Sequence, residues 1–221
     1  MRHLSFLLLL FIYGTVANAQ VLVSEEPRHK PVFQNESIRI LNVLLPPGDT
    51  TQYHRHALPS VFLCLTKTTT AGQLLGKDPV QSSSAIGYMW FENLAPPHSK
   101  VHRVWNVDTN TFHVMDIELL SKDSGFTEKP LLLPHLQIAI DTPWARSYTL
   151  ALEKGTDFVV TSNRKLLAVA ILDATVQLQK GSATEIQTAQ PGAYFWISAG
   201  QKFVLKNIAN TIARFALIEV H

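Results

Sequence analysis

The chain has 221 residues, 16% of them charged, with a formal net charge of +2. So small a charge offers no basic face for nucleic acid or an anionic membrane, and a single cysteine, Cys64, excludes an intramolecular disulfide. The length suffices for one large or two small domains, each with its own core.

Arg2, an apolar run from Leu4 to Tyr13 and the triplet Ala17-Asn18-Ala19 have the form of an export signal over 1–19, cut before Gln20. The run is too short for a permanent membrane span, and no other segment approaches twenty unbroken apolar residues. The expectation is a secreted or periplasmic protein with no nucleic-acid partner. No cysteine follows the cleavage pattern, so no lipid anchor is expected there.

Short β-type runs then recur with turn residues between them. Ile38 to Leu45 is closed by Pro46-Pro47-Gly48-Asp49, and Ser60 to Leu65 is followed by a threonine run. Cys64 lies inside that second apolar run, where a buried, inert thiol is expected. The Thr-, Ser- and Gly-rich tracts Thr66 to Gly76 and Lys77 to Ala85 are expected to be loops. Arg146 to Leu152, Leu166 to Leu172, Ala193 to Ser198 and Ile212 to Val220 are further expected strands. No segment carries a long, capped period of 3.6, so the expected class is all-β, a sandwich or barrel.

The chain also repeats. Arg39 precedes Gly48 by nine residues, as Arg146 precedes Gly155; Asn106 precedes Glu118 by twelve, as Asn207 precedes Glu219. Two copies of one β-unit are expected, 26–125 and 130–221. Because Arg39, Arg146, Glu118 and Glu219 recur in both copies, they point to an ion pair within each unit, and Asn106 points to a turn-stabilising role.

Within the first unit, His54-Arg55-His56 follows Gly48 by six residues, and His102 comes from a distant expected strand. Side chains alternate along a strand, so 54 and 56 share a face. Three neutral imidazoles from two strands make an open site for one divalent transition metal: iron, manganese, nickel, copper or zinc. His98 and His113 fall outside that pattern, with His113 expected to point out of the barrel. Tyr53, Tyr88, Trp90, Phe91 and Trp105 serve equally as pocket wall or as core.

These residues resemble the cupin family. Gly48, five residues, His54, one residue and His56 match the opening of the first cupin motif. Pro97, four residues, His102, three residues and Asn106 match the end of the second. The resemblance implies tandem double-stranded β-helices (jelly rolls), a bicupin, with His54, His56 and His102 as metal ligands. The chain departs from the pattern in three ways. Ser60 and Val61 stand where the first motif has its glutamate, Phe91 and Ser99 replace the glycines bounding the second, and Thr161, Asn163 and Phe203 stand for the histidines in the second unit. The implied function is metal-dependent oxygenation or isomerisation of a small molecule. The alternatives are a non-catalytic ligand- or metal-binding module and a metal-free structural jelly roll, with homodimerisation left open.

Overall fold

A computed structural model describes residues 20–121 and 125–220; the expected signal segment lies outside them. The first unit contains β1 (Val21–Leu22), β2 (His29–Gln34), β3 (Ile38–Leu45), β4 (His54–His56), β5 (Ser60–Cys64), β6 (Thr68–Leu74), β7 (Val80–Ser84), β8 (Met89–Glu92), β9 (Lys100–Asn106) and β10 (Phe112–Leu119). The second contains β11 (Leu136–Asp141), β12 (Arg146–Leu152), β13 (Asp157–Thr161), β14 (Lys165–Ala170), β15 (Ala174–Lys180), β16 (Ala183–Ala189), β17 (Tyr194–Ile197), β18 (Lys202–Asn207) and β19 (Ala213–Val220). Each unit is two sheets facing one another. The first has orders β1-β4-β9-β6-β7 and β2-β3-β10-β5-β8, and the second has β13-β18-β15-β16 and β11-β12-β19-β14-β17. Apart from β1, which adds to β4 in parallel, strand for strand the order is the same. The all-β, tandem jelly-roll architecture is as expected.

The repeated residues hold this shared frame. Asn106 Nδ2 donates to Leu45 O at 2.8 Å and Asn110 O at 2.7 Å, and Asn207 Nδ2 donates to Leu152 O and Thr211 O at the same two distances. Gly48 and Gly155, both at positive φ (76° and 77°), donate their N–H to the carbonyls of Asn106 and Asn207. Arg39 pairs with Glu118 at 2.5 Å, and Arg146 approaches Glu219 at 3.5 Å. The ion pair in each unit is therefore present.

Among the described residues three apolar clusters fill the interior. One lies between the units: Ile38, Ile40, Leu63 and Ile117 of the first sheet face meet Leu167, Val169, Ala216 and Ile218 of the second. Strands β5, β14 and β19 are thus buried along nearly all their length, and β5 and β14 read as nearly continuous apolar runs, whereas β3 and β10 carry polar side chains among the apolar ones. Cys64 points into the first unit, 1% exposed, and burial raises its thiol pKa. The other two clusters are the barrel interiors, and they differ greatly. Among the described residues the second interior holds nineteen buried apolar side chains and the first seven.

The expected loops at Thr66–Gly76 and Lys77–Ala85 are corrected. They form the hairpin β6–β7, with Thr68 opposite Ser84 and Gly72 opposite Val80. Threonine is a good strand former, and β7 is a solvated edge strand exposed along most of its length, so its polar composition reflects its setting. Among the described residues no helix is long and apolar enough to cross a membrane.

Candidate metal centre

Strand β4 turns His54 and His56 inward, 0% and 2% exposed, and leaves Arg55 in solvent. It pairs with β9 so that His54 faces His102 across the ladder. The register depends on one additional residue. In the first unit Thr50 bridges Trp105 while His54 pairs with His102, four steps against three. In the second, Asp157 pairs with Lys206 and Thr161 with Lys202, four against four. Phe203, the counterpart of His102, therefore faces Val160, so Val160 and Ser162, both buried, occupy the places of His54 and His56. Spacing from the turn glycine had pointed to Thr161 and Asn163; both are exposed.

The structure brings all three expected ligands together. His56 Nε2 lies 3.1 Å from His54 Nε2 and 3.1 Å from His102 Nε2. Burial, then repulsion by neighbouring His29, lowers the His54 pKa to about 3. Burial, followed by the His54 and His56 rings, lowers that of His102 further still. Both are neutral at pH 7. His54 Nδ1 lies 2.9 Å from the Gln52 carbonyl, which can only accept, so Nδ1 carries the proton and Nε2 is bare.

A fourth histidine was not found from the motif. His29 of β2, 7% exposed, holds its Nδ1 2.7 Å from Glu26 Oε2, and Glu26 also accepts from the Arg28 and Gln52 amides. His29, His54 and His56 offer ligand atoms all within 4.8 Å of one another, a cluster able to hold one divalent metal ion. Two nitrogens about 2.0–2.1 Å from one ion stand about 2.9–3.4 Å apart for angles from square to tetrahedral, so the 3.1 Å separations fit such a group. His29 lies outside the cupin-like spacing; its signal was the Glu26-x-x-His29 pair, which places a carboxylate beside an imidazole. His98 is exposed, and His113 faces outward, its Nε2 2.7 Å from Asn42 Oδ1.

A cavity of about 800 Å³ opens over the histidines, lined by Val43, Leu45, Val104, Phe112 and Val114 among others. One wall is an aromatic ladder. Phe62 stacks on Trp90 (centroids 4.7 Å, 15°), and Trp90 on Tyr88 (5.7 Å, 20°), leading from the His56 ring to the half-exposed mouth. Lys100, held by Glu92 at 2.5 Å, also lines the cavity. Tyr53 and Trp105 instead flank Arg103 at 5.1 and 5.3 Å, and Phe91 packs between the units.

No family model and no curated protein matches this sequence. Solved structures do. AerE from Microcystis aeruginosa aligns with a TM-score of 0.64 at 13% identity, over 89% of this chain and 98% of that one. YhhW from Escherichia coli gives 0.59 at 12% over 88% of each chain. A salicylate 1,2-dioxygenase from Pseudaminobacter salicylatoxidans gives 0.60 at 12%, over 90% of this chain and 78% of that one. At such identities the likeness is one of fold, and it agrees with the paired sheets and repeated frame: the chain has a two-domain, cupin-like fold with a histidine cluster in its first domain.

Proposed function

We propose that His54, His56 and His102 hold one divalent transition metal at the floor of the first barrel, with His29 beside them, and that the cavity above admits a small molecule. One observation carries this reading. His56 Nε2 stands 3.1 Å from two other imidazole nitrogens, and that of His54 is bare. A single proton on His56 satisfies one contact and opposes or ignores the other. If the proton sits on His102, then His54 and His56 face each other with two lone pairs. A cation between the rings resolves both contacts at once.

When bound, such a metal supplies Lewis acidity or redox chemistry at its open positions. The chain contributes the rest. The apolar walls and the Phe62–Trp90–Tyr88 ladder exclude water and favour a largely apolar substrate. Neutral histidine ligands leave the ion's charge largely uncompensated and make it a stronger acid. We favour metal-dependent oxidation or isomerisation of a small molecule outside the cytoplasm, after removal of 1–19. That one structure of this fold is a dioxygenase is compatible with this choice.

The test is elemental analysis of protein beginning at Gln20, purified without chelators or a histidine tag, beside the His54→Ala/His56→Ala variant. About one iron, manganese, nickel, copper or zinc per chain, lost in the variant, is expected; a redox metal then leads to oxygen-uptake assays. No metal in either protein, even after anaerobic reconstitution, rejects the proposal. Ligand-dependent thermal stabilisation without turnover would instead identify a binding module.

A further inference from the structure

Asp116 is a buried carboxyl group without a hydrogen bond. It sits on β10, 1% exposed, with both carboxylate oxygens unpartnered, and it lines the cavity. The polar atom it approaches is His56 Nδ1, which is also unpartnered, 3.4 Å from Asp116 Oδ2. Leaving a carboxylate in this state costs folding free energy, so something other than stability retains it.

The second unit shows that the fold does not require it. Glu118 and Glu219 occupy one repeat position, opposite Arg39 and Arg146. Two residues earlier on each strand stand Asp116 and Leu217, and Leu217 is fully buried in the filled second barrel. A leucine is thus accommodated at this place in the frame. The carboxylate belongs with the histidines, which also have non-ionisable counterparts in the repeat.

We infer that Asp116 is a positioning residue for the metal centre. Its carboxylate accepts the Nδ1 proton of His56, which fixes the tautomer with Nε2 bare and aimed at the Nε2 atoms of His54 and His102. The inference rests on the metal-binding reading above. At 3.4 Å the pair lies beyond an ordinary N–H···O bond, and a cation on Nε2 makes Nδ1–H a stronger donor towards the carboxylate. Carboxylates placed behind a ligand histidine in this way orient the ring and raise its basicity. Asp116 is set on β10, a strand separate from that of the histidine it serves, and stands opposite Phe62 of β5, beside the motif position where Ser60 and Val61 replace a glutamate.

The experiment is a Co²⁺ titration of chelator-treated wild type, Asp116→Leu and Asp116→Asn, with thermal melts of the metal-free forms. Asp116→Leu is expected to weaken Co²⁺ binding by about 10–100-fold while melting no lower than wild type without metal. Asp116→Asn, whose amide oxygen still accepts the Nδ1 proton, should recover part of the loss. That divergence is what a merely structural role would not produce. Unchanged Co²⁺ affinity in Asp116→Leu overturns the inference, as does a metal-free melt that falls in step with the affinity. Wild type that binds no Co²⁺ overturns the metal reading itself, and this inference with it.

Discussion

The two barrels share one frame and have opposite interiors. The pairing places His29 against Leu136: each faces the residue four beyond the repeated arginine, and each strand carries a register shift just after it. His54 corresponds to Val160, His56 to Ser162, His102 to Phe203 and Asp116 to Leu217. Five polar groups, four of them imidazoles, surround a cavity in one barrel. Four apolar side chains, Leu136, Val160, Phe203 and Leu217, and one serine, Ser162, fill or border the same space in the other. The Arg–Glu pair and the asparagine turn are common to both. The frame does not dictate what the interior does; the inward-facing residues do.

Acid should break this comparison most strongly. Burial holds the His54 pKa at about 3, against about 6.5 in an unfolded chain. Between those values the unfolded state binds a proton that the folded state does not, so stability is full above about pH 6.5. It then falls by about 1.4 kcal/mol per pH unit for each such group as pH drops towards 3. His102 is shifted in the same direction. Denaturant unfolding of the metal-free protein from pH 7 to pH 4 should show a steeper loss for wild type than for His54→Val, which takes the second barrel's residue. Equal slopes would mean that His54 accepts a proton without unfolding.

Next in size is the filled barrel. Phe203 is fully buried within the second cluster, and Phe203→Ala should cost about 3–5 kcal/mol by leaving a cavity in a close-packed core. The matching change, His102→Ala, enlarges a cavity that already exists and removes a neutral imidazole from a crowded cluster. It should cost the metal-free protein less than about 1 kcal/mol while abolishing metal uptake. Similar losses from the two substitutions would show that His102 is core rather than site.

Much of this is legible in the amino-acid sequence. Ile38–Leu45 and Arg146–Leu152 are legible because apolar residues dominate each and a turn closes it, Pro46-Pro47-Gly48-Asp49 after the first and Lys154-Gly155 after the second. The His54/His56 pair is legible because strand alternation places both on one side. The β6–β7 hairpin was not, since a solvated edge has no apolar pattern to show. The true counterparts of the histidines were hidden by one residue between Thr50 and His54, a shift that spacing from Gly48 cannot detect. His29 and Asp116 lie outside the motif for a further reason: each reaches the site from its own strand, and only the sheet pairing brings them there.

The smallest expected effect tests the shared frame rather than the divided interior. Asn106 and Asn207 are 1% and 0% exposed, and each side-chain amide donates to the last residue of the repeat's second strand and to the carbonyl four residues ahead. Each also accepts through Oδ1 from an amide two residues on, Asp108 N at 2.9 Å and Ala209 N at 3.0 Å. Replacing either by alanine strands one buried carbonyl, that of Leu45 or Leu152, and leaves a second carbonyl and an amide to the partly exposed turn, at about 1–3 kcal/mol. The geometry is the same in both units, so denaturant unfolding should give nearly equal losses, and Asn106→Ala should keep its metal if it is saturated while folded. A much larger loss at Asn106 would mean that the metal-bearing barrel leans on its turn more than the filled one does, with its own sparse core unable to hold β9 in place against β4.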